Sequence, residues 1–287
     1  MSSLWSSVQA VGESPLLRRA LFECLLVGAL GGVVGVHVSL RRLSFTAMAL
    51  THATFPGVVL AALLGWNLTL GSAAFGVAVV VVLALLGNLA DLDHTNAAGV
   101  MLAGGIALGV VLSSASDGLS RELSSFLVGS VLSTTTGDVV ATAAWAAVLC
   151  VLLGVLHRPL VASAFDPVGT RSAGLPVGLV DLVVLIVLMT AIAVMVPSVG
   201  TILSVALLVA PTAAARMWTS RIGALFVASA SLGAICGAAG LVLSHWGDTA
   251  AGATIAVTCG GVFAVSVAAR AVVETGRARR TIAPTGG

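Results

Sequence analysis

The feature that most limits what this chain can fold into is a succession of apolar stretches, most of them close to 20 residues, separated by short polar breaks. They run from about Leu16 to Leu40, Ala47 to Leu64, Leu68 to Ala90, Ala97 to Ser114 and Asp138 to His157. Four more follow, from Gly178 to Val196, Ser198 to Met217, Ala224 to Leu243 and Ala250 to Ala269. A helix rises 1.5 Å per residue, so about 20 apolar residues cross a hydrocarbon core of roughly 30 Å. Charged residues make up 8% of the chain and hydrophobic ones 59%, whereas a soluble domain is about a quarter charged. Lipid is therefore the expected solvent. The expected fold is all-α, a polytopic transmembrane bundle of about nine spans, with eight or ten admitted by the same pattern, forming one domain over residues 1–287. The piece from Ser124 to Ser133 is too short to cross and is expected as a re-entrant or interfacial helix.

The charges that remain exclude several functions. All 13 basic residues are arginine. Without lysine a phosphate-binding loop ending in Gly-Lys-Ser/Thr cannot be built, so any nucleotide hydrolysis must occur on a partner chain. A net charge of +2 is too small to argue for nucleic acid. Cys24, Cys150, Cys236 and Cys259 stand far apart in apolar stretches, without Cys-x-x-Cys spacing, and read as small buried hydrophobes. Arg18 and Arg19 precede the first apolar run, as in a secretory signal, but no Ala-x-Ala-like site closes it and further spans follow, so it is expected as a retained helix.

Arginine also orients the chain, because cytoplasmic loops near helix ends are enriched in it. A cytoplasmic C-terminus puts Arg270, Arg277, Arg279, Arg280, Arg216, Arg221, Arg158, Arg171, Arg41 and Arg42 inside and leaves Arg18, Arg19 and Arg121 outside. Nine spans then place the N-terminus outside. The longest cytoplasmic connection, from His157 to Gly178, has the character of an interaction surface.

Glycines recur four apart, at Gly28 and Gly32, Gly31 and Gly35, and Gly233 and Gly237. This spacing strips one helix face of side chains so that backbones approach closely. Ionisable residues within spans are costly and mark function by default. His52 lies ten residues past Arg42, about 15 Å into the membrane at the helical rise. Pro56, four residues on, has no N–H for the carbonyl of His52, and Met48, four residues back on the same face, offers a soft thioether. Hydrogen bonding across a helix interface is the plainer role for His52, and core packing for Met48. Pro211 repeats the device by releasing the carbonyl of Leu207. His37 and His157 fall near helix ends within reach of headgroup water. His245 and Asp248 sit together in an outer loop, Asp138 and Asp181 at helix starts, and Asp91, Asp93 and His94 in a cytoplasmic turn.

Taken in order, several segments resemble the permease family of zinc, manganese and iron importers of the ATP-binding cassette class. RRLSFTAMALTHATFPGVVLA, from Arg41 to Ala61, is similar to that family's helix of paired arginines, Asp, His and Pro-Gly, with His52, Pro56 and Gly57 in matching places and Met48 where the family has Asp. SSFLVGSVLSTTTGD, from Ser124 to Asp138, resembles its Leu-Phe-Gly-x-x-Leu segment. FDPVGTRSAGLP, from Phe165 to Pro176, resembles its cytoplasmic coupling segment, carrying Phe165, Asp166, Pro167, Gly169, Thr170, Arg171 and Gly174 within a region of about residues 158–177. SVGTILSVALLVAPTAAAR, from Ser198 to Arg216, matches most closely, and the last two spans around LSHWGDTAAGATI also fit.

The resemblance implies a permease without an ATPase site of its own, set in a bacterial inner membrane. It implies two permease chains lining a path, two cytoplasmic ATP-binding subunits and an external metal-binding protein. The metal is cargo, and no cofactor is expected on this chain. His52 and Met48 are the expected ligands, with Pro56, Gly57 and Pro211 as helix breaks near the path. Replacement of a hard carboxylate by Met48 leans toward zinc over manganese or iron. The rival readings are a permease for a metal chelate or siderophore, and a non-transport intramembrane enzyme or haem protein.

Overall fold

The computed structural model describes residues 14–90, 94–114, 129 and 131–282. In chain order its helices are α1 (Pro15–Leu40), α2 (Ser44–Ala53), α3 (Phe55–Leu64), α4 (Leu68–Ala90), α5 (His94–Ser114), α6 (Thr136–Val155), α7 (His157–Phe165), α8 (Pro167–Ser172), α9 (Val177–Arg216), α10 (Ile222–Gly247) and α11 (Ala251–Ile282). No strand occurs among the described residues. Most of the expected short helix from Ser124 to Ser133 lies outside them, and its described part is a 3₁₀ turn, Val131–Ser133.

Among the described residues, seven helical segments are long and apolar enough to cross a membrane, against the nine expected: α1, α2 joined with α3, most of α5, α6, α9, α10 and Ala251–Thr275 of α11. The difference lies in two places. The helix α4 is 23 residues long, of which Leu68–Val82 enter the comparison. The 40-residue α9 is two helices joined across a kink at Gly200, whose φ of 81° and ψ of 169° are not helical. Without Cβ, glycine takes that conformation at little steric cost.

The element ends follow from local chemistry. Pro15 opens α1, and Arg42, in the left-handed region at φ 57°, turns the chain out of it. Gly65, at φ 65°, closes α3 while the Trp66 N–H donates to the Ala61 carbonyl at 2.8 Å, a helix-terminating arrangement that favours glycine. The side-chain oxygen of Asn67 then accepts from the N–H groups of Thr69 and Leu70 and starts α4. At α6, Thr135 and Asp138 exchange side-chain and backbone hydrogen bonds in a capping box, the helix-start role expected of Asp138. Asp248, at φ 49°, closes α10.

Two helices form the centre. α9 touches α1, α2, α4, α6, α7, α10 and α11, and it buries Leu188, Met189, Ile192, Met195, Leu207 and Leu208. α1 lies in the crotch between α9 and α10. Helices α5, α6 and α11 are peripheral and leave most of their apolar faces open, as with Val100, Val155 and Val257, each 75% exposed. Cys24, Cys236 and Cys259 are buried, whereas Cys150 is exposed on α6, which corrects its expected burial.

The glycine spacing converts into two seams on α1. A Cβ on Gly28 would stand 2.3 Å from the carbonyl oxygen of Gly233, and one on Gly32 would stand 2.2 Å from that of Ser229, both on α10. One turn face away, a Cβ on Gly35 would stand 2.0 Å from the Leu208 oxygen of α9. Pro211 belongs to the same contact. The carbonyl of Leu207 that it releases lies against Gly31, and neighbouring Thr212 donates its hydroxyl to the Gly32 carbonyl at 3.3 Å. Pro211 is itself buried, and the departure from helical angles within α9 lies at Gly200.

These contacts leave no room for a methyl group, and overpacking costs typically 1–3 kcal/mol. Gly28→Ala is expected to destabilise the bundle by about 2–3 kcal/mol, read as a lowered unfolding temperature in detergent, while Gly99→Ala, where a Cβ meets open space, leaves it unchanged.

Candidate functional site

The segment carrying His52 is broken where hydroxyls and proline compete with the helix ladder. Thr51 donates its hydroxyl to the Met48 carbonyl at 2.6 Å, and Thr54 donates to the Thr51 carbonyl at 2.6 Å. Such back-bonding bends helices, and Pro56 withdraws a backbone donor two residues later. The result is the junction at Thr54 between α2 and α3. His52 and Met48 are both half-buried, while Thr51, Ala53, Thr54, Phe55, Pro56 and Gly57 are buried around them. Gly105 of α5 presses against Ala53 and the His52 carbonyl. Gly57 lets α3 cross α4 at Gly71 and Phe75. Among the described residues the His52 ring has no hydrogen-bond or ion-pair partner, and no cluster of three or more His, Cys, Asp or Glu exists.

A polar cavity of about 440 Å³ opens between α3, α4, α6 and α9. Its polar lining comes from Asn67, Thr69, Ser133, Thr134, Asp138, Thr142 and Ser198. Val58 also lines it, six residues beyond His52 and so about 9 Å farther along the same broken helix. His52 and Met48 themselves lie outside its lining. The sequence reading passes over the residue behind this wall. Glu23 of α1 is fully buried, and its Oε1 accepts from the Thr142 hydroxyl at 2.8 Å. The signal was present in LLRRALFECLL, since a carboxylate inside a span is costly unless it has work to do.

The opposite end of the bundle carries the segment from His157 to Gly178. Phe165 ends α7 and is 65% exposed, and Val168 beside it is 75% exposed. Asp166 caps α8 by accepting from the Gly169 N–H at 2.8 Å, and Pro167 opens that helix. Thr170 is buried and donates its hydroxyl to the Asp166 carbonyl, Arg171 sits in the last turn, and Gly174 turns the chain at φ 82°. The segment is thus two short helices with an apolar, exposed corner between them.

Arg41 ties that segment to the rest. Its side chain is 9% exposed. The guanidinium pairs with Asp181 of α9 and donates to the Leu160 carbonyl at 3.0 Å and the Ser163 hydroxyl at 2.6 Å, both on α7. Asp181, expected only to complement a helix dipole, is thus an ion-pair partner. His37 also departs from expectation. It is 2% exposed, neither ring nitrogen has a partner, and its ring lies 5.3 Å from that of Phe226. His157 approaches Phe226 at 5.6 Å. Burial under α10 overrides nearness to the helix end. His245 is exposed in the last turn of α10. Asp91 and Asp93 lie outside the described residues, and His94 begins α5.

Known proteins resemble this chain over most of its length. The manganese transport system membrane protein MntC of Halalkalibacterium halodurans is 30% identical over 250 residues, 87% of this chain and 86% of that protein. The manganese import system permease protein ScaB of Streptococcus parasanguinis is 30% identical over 90% of this chain and 92% of its own. Among solved structures, PsaBC from Streptococcus pneumoniae in complex with Fab superposes with a TM-score of 0.83 at 27% identity, covering 92% of this chain and 95% of that one. An inward-facing transporter of the metal-chelate type shares the fold at a TM-score of 0.75 and 17% identity, covering 90% of this chain and 87% of its own. The sequence pattern of the ABC 3 transport family matches residues 13–270, from the entry of α1 to well into α11, and the chain accordingly belongs to that family.

Proposed function

We propose that this chain is the membrane-spanning permease of an ATP-driven importer for a divalent transition metal, with manganese as cargo. The observation that carries the reading is the near end-to-end similarity to proteins named for manganese transport. The sequence alone leaned toward zinc through Met48, and that preference has no support among these relatives. The metal-chelate alternative shares the fold at 17% identity, a likeness that speaks for architecture and not for cargo.

Nine crossings follow if α4 spans and if α9 spans twice. A straight helix of 40 residues would be about 60 Å long, twice a hydrocarbon core of roughly 30 Å, and the break at Gly200 divides it near its middle. This puts the N-terminus outside and the α7–α8 segment inside, on the arginine-rich side. Exposed Trp66 and Trp218 near helix ends suit the two membrane interfaces. The polar cavity then opens outward, toward an external metal-binding protein. The half-buried faces of His52 and Met48 turn to a path shared with a second copy of the permease in a bacterial inner membrane.

ATP hydrolysis belongs to a cytoplasmic partner, since this chain has no lysine with which to build a phosphate loop. That partner meets Phe165, Asp166, Pro167, Gly169, Thr170, Arg171 and Gly174. Movement reaches the core through Arg41, because one side chain holds α7, α9 and the turn that leads into the His52 helix. In its neutral form the His52 imidazole offers the cation a nitrogen ligand at mid-depth.

In cells or proteoliposomes containing the partner subunits, His52→Ala is expected to insert and assemble normally while Mn²⁺ uptake falls at least tenfold. Unchanged uptake would refute the assignment, and a transporter that moves Zn²⁺ but not Mn²⁺ would refute the cargo. Arg41→Ala removes charge-assisted hydrogen bonds of a kind worth roughly 1.5–3 kcal/mol each. The half-exposed Asp181 partner adds little through solvent screening. ATP hydrolysis is expected to continue with about tenfold less Mn²⁺ moved per ATP, measured by simultaneous phosphate-release and uptake assays.

A further inference from the structure

Glu23 is the one carboxylate among the described residues with no exposed surface, and two hydroxyls stand against it. Oε1 accepts from Thr142, whereas Oε2 is buried without a partner. The Ser198 hydroxyl stands beside the same carboxyl group. Thr142 and Ser198 both belong to the wall of the 440 Å³ cavity, so two hydroxyls are the layer between this carboxyl and the open space. Leaving a buried acceptor unpaired costs about 1–3 kcal/mol, and more if it is charged. A tie between α1 and α6 would need only the Thr142 hydrogen bond, which a neutral side chain such as Gln also makes. A second hydroxyl, that of Ser198, turned to the same carboxyl, and a buried oxygen with spare lone pairs, exceed what such a tie needs.

We propose that Glu23, Thr142 and Ser198 form an oxygen-only station for a hard divalent cation just inside the cavity, occupied before the cation reaches His52. The station rests on the metal-permease reading and specifies its outer half. A hydroxyl can rotate from donor to acceptor, so Thr142 can release Oε1 and turn a lone pair to the ion. Carboxylate and hydroxyl oxygens suit Mn²⁺ better than they suit softer ions. Asp138, in the same cavity wall and one helical turn from Thr142, adds negative potential that concentrates cations at the mouth. The hard ligand missing where Met48 stands is thus supplied at another depth.

The test is Mn²⁺ binding to the full-length permease in nanodiscs, by equilibrium dialysis with radioactive Mn²⁺, alongside thermal unfolding. Glu23→Gln keeps the side chain's size and its ability to accept from Thr142. It is expected to raise the Mn²⁺ Kd at least tenfold while His52→Ala still loads the outer station. Wild-type affinity in Glu23→Gln, with or without a lowered unfolding temperature, makes the carboxyl a structural tie and overturns the station while the permease reading stands. A wild-type protein that binds no Mn²⁺ overturns both. Should Glu23→Gln fail to insert, Thr142→Val serves in its place, with a several-fold weaker Kd expected and an unchanged one decisive against the proposal.

Discussion

The architecture depends on backbone touching backbone along α1. Within lipid, apolar side chains gain little by leaving one apolar surface for another, so helices associate through close packing. Gly28 and Gly32 admit the carbonyls of α10, and Gly31 and Gly35 admit those of α9. This brings the three helices close enough for the rest of the bundle to lean on them. It also explains why polar groups can be spent sparingly. Glu23 lies within α1 and Arg41 caps its C-terminal end, one facing the cavity wall on α6 and the other gripping α7 and α9. A helix pinned along its length can hold both to fixed geometry.

Much of this was legible in the residues. Length and apolarity located the helices, the four-residue glycine spacing announced the seams, and Pro56 marked the place where the His52 helix breaks. The boundary foreseen between Val196 and Ser198 falls close to Gly200, where the backbone departs from helical angles. What stayed hidden depends on partners distant in sequence. The pairing of Arg41 with Asp181 spans 140 residues, so each looked like a local charge at a helix end. His37 lies one turn from a helix terminus, yet the ring of Phe226, on a helix far along the chain, closes over it. Glu23 was visible as a charge in a span, but only the position of Thr142 shows that it stands behind a cavity.

The chemistry along α2 and α3 acquires a different emphasis from the surrounding geometry. A lone imidazole with a thioether one turn away makes a sparse and rather soft coordination set. The oxygen-rich cavity beside Val58 is its complement, crowded with hydroxyls and bordered by Asp138. Under the proposed function, cargo preference rests on successive environments rather than on one ligand cage.

The interruption at Gly200 has a further consequence. Pro197 and Ser198, which border the cavity, sit beside a backbone conformation that a side chain would strain. Gly129, itself at φ 74°, abuts the Val199 carbonyl so closely that a Cβ there would stand 2.2 Å from its carbon. The backbone next to this part of the lining is therefore held by main-chain atoms interlocked at two residues that lack a Cβ. Exchanging one lining side chain for another would change the chemistry of that space while leaving these main-chain contacts in place.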